Sequence, residues 1–96
     1  MTAITDDCTY HKRVNGPWIE VLVLTPTTAV SADTVVLKLS DYGIKTFEAI
    51  FGAVQTTENS VVATEAPTTA VSSGSLTVTV GGTLVTAKRA FTILGL

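Results

Sequence analysis

Apolar and polar residues alternate with a period of two through most of this 96-residue chain, in short runs broken by Gly, Pro, Asn, Asp and Ser. That period predicts strands. In Trp18 to Leu24, Ile19, Val21 and Val23 share one face while Trp18, Glu20, Leu22 and Leu24 share the other, so a strand that is central or covered on both sides is expected. Thr34 to Ser40 reads as half-buried, with Val35, Leu37 and Leu39 inward and Val36 and Lys38 outward. Ile44 to Gln55 follows the turn Asp41-Tyr42-Gly43, and Lys45, Phe47, Ala49, Phe51 and Ala53 form its better core face. A short helix over Lys45 to Phe51 competes, and Gly52 suggests a bulge. Val61 to Thr64 is a short strand. Ser75 to Val80 alternates most cleanly, pointing Leu76, Val78 and Val80 inward, and Gly81-Gly82 reads as a hairpin turn into a return strand from Thr83 to Thr86. The last run, Lys88 to Leu94, groups Arg89, Phe91 and Ile93 on one face. The expectation is a small all-β fold, an antiparallel sandwich or barrel.

Residues 1–15 lack the alternation and end at Asn15-Gly16-Pro17, so they read as an N-terminal arm or edge segment ahead of a single β domain at 16–96. Within that domain the hexapeptide Pro-Thr-Thr-Ala-Val-Ser occurs twice, at Pro26 to Ser31 and Pro67 to Ser72. A displacement of 41 residues superposes Val35, Leu37 and Leu39 on Leu76, Val78 and Val80, and a two-residue insertion brings Ile50-Phe51-Gly52 onto Ile93-Leu94-Gly95. Two similar β units, each entered through an extended loop, is one reading. Two connectors that share a composition suited to extended backbone is the other.

Composition narrows the function classes. Charged residues make up 15% of the chain and Thr is its commonest residue, so the surface is close to neutral and suited to dry contact with protein. The basic residues are scattered as Lys12-Arg13, Lys38, Lys45 and Lys88-Arg89, which argues against a nucleic-acid footprint. No apolar run approaches the ~20 residues of a membrane-spanning helix. Asp6 and Asp7 stand where a secretory leader needs basic residues, and Cys8 is the single cysteine; both fit assembly in a reducing cytosol.

Candidates for chemistry are few. Cys8 and His11 have a metal-ligand spacing beside Asp6 and Asp7, but no second Cys or His exists to complete a zinc site, so no metal or cofactor is expected. His11 has no nucleophile with an orienting partner, and Glu58 and Glu65 read as loop charges, so no enzyme is expected. Partner contact is the remaining role: Tyr10, His11, Lys12 and Arg13 in the N-terminal segment, and Trp18, whose default assignment is core anchoring and which becomes a partner contact if exposed.

Gly52-Ala53-Val54-Gln55-Thr56-Thr57, Val61-Val62-Ala63-Thr64-Glu65-Ala66-Pro67-Thr68-Thr69 and Ser75-Leu76-Thr77-Val78-Thr79-Val80 resemble small β-rich virion proteins of tailed bacteriophages. Such proteins share short Thr/Val strands, Ala/Pro/Thr connections and few charges. The resemblance covers about half the chain and carries over no functional residue. It implies a decoration or cement protein that is assembled in the host cytoplasm, resides in the virion as an oligomer and bridges major capsid subunits. A head–tail connector, tail or fibre subunit is the alternative within phage. A monomeric ligand- or surface-binding β-sandwich is the alternative outside it.

Overall fold

The computed structural model describes residues 3–55, 61–64, 67–81 and 86–96, with no side-chain detail for 61–64. Its strands are β1 (Thr9–Asn15), β2 (Trp18–Leu24), β3 (Thr34–Lys38), β4 (Phe47–Gln55), β5 (Val61–Thr64), β6 (Thr68–Ser72), β7 (Ser75–Thr79) and β8 (Lys88–Gly95). They form a five-stranded sheet in the order β1-β2-β8-β4-β5 and a three-stranded sheet in the order β3-β7-β6, antiparallel throughout. Among the described residues β1 in the larger sheet and β6 in the smaller one have no strand on their outer sides. The fold is therefore an open sandwich, and the barrel alternative is set aside.

The core is where the two inner faces meet. Val21 and Val23 of β2 and Phe91 and Ile93 of β8 pack toward Val35 and Leu37 of β3 and Leu76 and Val78 of β7. Ile4, Ala29, Leu39, Ile44 and Val80 close the rims. Alternation is what makes this work, because each strand supplies an apolar row at every second residue.

The N-terminal segment is built into the fold. Ile4 is a core residue, and β1 pairs along its full length with β2 through a turn at Gly16-Pro17. Gly16 has φ +65°, which glycine adopts without strain and which the first position of a type II′ turn requires. Of the two readings for residues 1–15, arm and edge segment, the edge holds for 9–15.

The inward face of β4 differs from the expectation. The register against β8 slips between Phe47 and Ala49, so Glu48 is an extra residue and the phase inverts after it. Ile50, Gly52 and Val54 then face the core, while Ala49, Phe51 and Ala53 face outward. The bulge lies at Glu48, and Gly52 sits in regular pairing opposite Phe91. No helix forms over Lys45 to Phe51.

The repeated hexapeptides have unlike structures. Pro26 to Ser31 is a loop tied to β8 by the Thr25 amide donating to the Arg89 carbonyl (2.9 Å) and the Ala87 amide donating to the Ala29 carbonyl (3.0 Å). Pro67 to Ser72, expected as a loop, instead contributes β6, which doubles back on β7 through Ser73-Gly74. Both turn residues have positive φ (52° and 79°), as a type I′ turn demands. The place beside β3 that β6 holds beside β7 is taken by residues 3–5, with the Ile4 amide donating to the Thr34 carbonyl at 2.8 Å.

The pairing nevertheless carries a local two-fold pattern. Val36 pairs with Thr77, the residue 41 positions on, and Ile50 pairs with Ile93, its counterpart after the insertion. Aligned residues that face each other across an antiparallel pair are what a local two-fold produces. The proposed hairpin at Gly81-Gly82 and the return strand over 83–86 lie mainly outside the described residues; Thr86 makes a single bridge to Val30.

Candidate functional site

Cross-strand pairing fixes which side chains share the outer face of the five-stranded sheet. His11 pairs with Leu22, Arg13 with Glu20, and Asn15 with Trp18; Leu22 pairs with Thr92, which pairs with Phe51. Directly opposed residues point the same way. One row across the sheet is thus His11, Leu22, Thr92 and Phe51, flanked by a row of Leu24, Ala90 and Ala53 and another of Glu20, Leu94 and Ala49.

This face is apolar and open. Phe51 is 61% exposed, Trp18 42% and Leu22 37%. Charge lies toward its ends: Arg13 and Glu20 are neighbours at the β1 side, where His11, Lys12, Arg13, Glu20, Leu22 and Thr92 line a groove of about 270 Å³, and Lys88, paired with Gln55, stands on the same face at the start of β8. The outer face of the three-stranded sheet has the opposite character, carrying Thr34, Thr68, Ser72, Ser75, Thr77 and Thr79 with Val36 as its one large apolar side chain.

The five residues assigned to partner contact separate by parity. His11, Arg13 and Trp18 stand on the outer face; Trp18 is exposed there, so core anchoring does not describe it. Tyr10 points inward, where its hydroxyl donates to the Thr5 carbonyl (2.6 Å) and its ring lies 6.4 Å from that of Tyr42. Lys12 shares the inward side with Tyr10 and lies beside Gly43. Of the two readings for β2, central or covered on both sides, the first holds, since β2 lies between β1 and β8 while Leu22 stays 37% exposed.

Cys8 and His11 differ in parity, so they face opposite sides of the sheet and do not converge on one ion. The Cys8 thiol donates to the Ile4 carbonyl at 3.2 Å, and burial pushes its pKa above the ordinary 9.0, countered by Tyr10 and reinforced by Asp7. Burial likewise raises the Tyr10 phenol, with Cys8 and Tyr42 adding to the shift. A protonated, partly covered thiol is a poor nucleophile and a poor ligand. Among the described residues no group of three or more potential ligands forms, and Glu58 and Glu65 lie outside them.

Arg89 has a structural part that the sequence pattern leaves unassigned. Its side chain is fully buried, and Nη1 donates to the Ala29 carbonyl at 2.6 Å and the Ala87 carbonyl at 2.9 Å. Its backbone amide donates to Thr25 Oγ1 at 2.8 Å. The guanidinium thus fixes the loop at Pro26 to Ser31 against β8. Phe51 and Leu22 are the surface residues that sequence reasoning placed under cover. A signal for Phe51 existed in the phase conflict between Phe47 and Phe51 on one side and Ile50 and Val54 on the other.

Among the described residues this face presents exposed Phe51, Trp18 and Leu22 and no converging set of acid, base and nucleophile. No protein-family model, curated protein or solved structure matches the chain.

Proposed function

We propose that this protein is a non-enzymatic structural subunit of a virion, of the kind that decorates a phage head and ties neighbouring coat subunits together. The observation that carries the proposal is the outer face of the five-stranded sheet, where Phe51, Trp18 and Leu22 stand exposed on hydrogen-bonded strands. Soluble monomers usually cover or break such a patch, and an exposed one marks a contact surface. Trp and Phe are side chains that dominate interface energies, and a sheet presents them already ordered, so little entropy is lost on docking.

Size argues for attachment in several copies. Four strands at about 4.8 Å spacing and seven residues at about 3.3 Å span roughly 20 by 23 Å, or about 450 Å² in plan. That is below the roughly 800 Å² per partner of a standard stable interface, even allowing for side-chain relief. One copy alone binds weakly, whereas linked copies on a repeating shell gain by effective concentration. The supporting composition is the low charge of the chain, which leaves few ions to desolvate on contact.

The test is co-sedimentation of purified chain with empty heads made from the coat protein encoded in the same genome. Saturable pelleting at a fixed ratio to coat protein supports the proposal. A chain that stays in the supernatant as a stable monomer removes it.

A further inference from the structure

Three sheet edges have described side chains, and two of them are protected. β1 carries His11, Lys12 and Arg13 in succession, so pairing it with a second β1 brings cations together, and Lys12 points inward from the edge. β3 is covered by the N-terminal segment: the Ile4 amide donates to the Thr34 carbonyl, and the Val36 amide donates to Thr5 Oγ1 at 3.0 Å. β6 has neither device. Thr68-Thr69-Ala70-Val71-Ser72 is uncharged, pairs with β7 in unbroken register, and is exposed throughout.

The phase of its free backbone groups follows from the hairpin. A two-residue turn places the flanking Ser72 and Ser75 in a hydrogen-bonded pair, so Ser72, Ala70 and Thr68 bond to β7. The other edge of β7 agrees, because Val80 exchanges bonds with the β3 side through Asp33 and Ala32. The amides and carbonyls of Thr69 and Val71 therefore point away from β7, with no partner among the described residues. Their side chains point to the core side, opposite Val78 and Leu76, yet Val71 is 53% exposed.

We infer that β6 pairs antiparallel with β6 of a second copy, about a two-fold axis at Ala70, to make one six-stranded sheet across a dimer. In that register Thr69 opposes Val71 of the partner subunit on both sides of the axis. Each such pair uses the outward amide and carbonyl of both residues. The opposed side chains are Thr with Val, Ala with Ala and Thr with Ser, so no like charges meet and each Val71 gains cover from the partner. A copy of this edge matches it in register, in lack of charge and in the spacing of its free groups, and the pairing is isologous, as a closed dimer requires. The dimer supplies the multivalency that the shell proposal needs, but it stands on β6 alone.

The test is light scattering of the full-length chain with register-specific variants. Wild type is expected at twice its 10.0 kDa subunit mass. Val71→Pro deletes an outward amide while leaving the β6–β7 bonds, and it should halve the mass with an unchanged circular dichroism spectrum. In a Cys8→Ser background, Ala70→Cys should oxidise to a covalent dimer, since a non-hydrogen-bonded pair on the axis sets Cα atoms about 4.5 Å apart, within disulfide range. Val71→Cys, which faces the partner's Thr69, should not. A monomeric wild type, an oligomer indifferent to Val71→Pro, or equal cross-linking by both cysteines overturns the inference. If Val71→Pro fails to fold, the cysteine pair decides. Because none of these readouts involves heads, failure here is separable from failure of the shell proposal.

Discussion

Replacing Phe51 with Ala separates the two faces of β4 by energy. Phe51 is 61% exposed, so about two-fifths of its surface is covered in the fold. Taking about 200 Å² for a Phe side chain, the covered part is near 80 Å². At about 25 cal/mol per Å² that is an upper bound of about 2 kcal/mol, lowered by burial in the unfolded chain, with no cavity to add. Had Phe51 faced the core, as the alternation of Phe47 and Phe51 suggests, the loss would be about 3–5 kcal/mol. Phe91→Ala, at a fully buried position, provides that larger reference. The assay is urea unfolding of wild type and both variants, compared at constant slope. A Phe51→Ala loss of no more than about 2 kcal/mol, well below that of Phe91→Ala, is expected. Equal losses would refute the inverted phase after Glu48, and with it the outer face.

Other outcomes follow from the rims and the buried phenol. Gly95→Ala should cost about 1–3 kcal/mol by overpacking, because a Cβ there would lie 2.5 Å from Ile44 Cγ2 and 3.0 Å from the Thr46 carbonyl oxygen; thermal unfolding reads it, and a neutral result contradicts the packing of β8 against Ile44. The raised pKa values of Cys8, Tyr10 and Tyr42 have one sign: the unfolded chain ionises first, so stability is constant below the ordinary values of 9.0 and 10.0 and falls as pH rises past them. Tyr10→Phe should lose about 0.5–1.5 kcal/mol at neutral pH, with the bond to Thr5, yet show a shallower alkaline decline. Urea midpoints across pH 7 to 11 check this, and an unchanged alkaline slope would contradict it. Cys8 should react slowly with iodoacetamide in the folded state and rapidly after unfolding, as measured by mass spectrometry.

The alternating strands were legible because each side chain's direction follows from parity. Val35, Leu37, Leu76, Val78, Phe91 and Ile93 are buried where that pattern puts them. Parity fails at a bulge, and Glu48 reversed the face of everything after it in β4; no residue type there announces an insertion. The identity of Pro26 to Ser31 with Pro67 to Ser72 also misled, since whether such a segment pairs depends on the neighbouring edge being vacant. Beside β3 that edge is held by residues 3–5, whereas beside β7 it was open. Exposure of Trp18 and Leu22 was hidden for a related reason. A strand apolar on both faces is written the same way whether its second cover comes from its own chain or from a partner.

If the outer face of the five-stranded sheet attaches this protein to a shell, as proposed, face-specific variants will differ in co-sedimentation with empty heads. Leu22→Glu puts a charge at the centre of that face, and Val36→Glu puts the same charge on the outer face of the smaller sheet. Wild type and Val36→Glu should pellet with heads to the same saturating ratio while folded Leu22→Glu remains in the supernatant. Equal pelleting of all three proteins, or pelleting of none, would contradict the proposal.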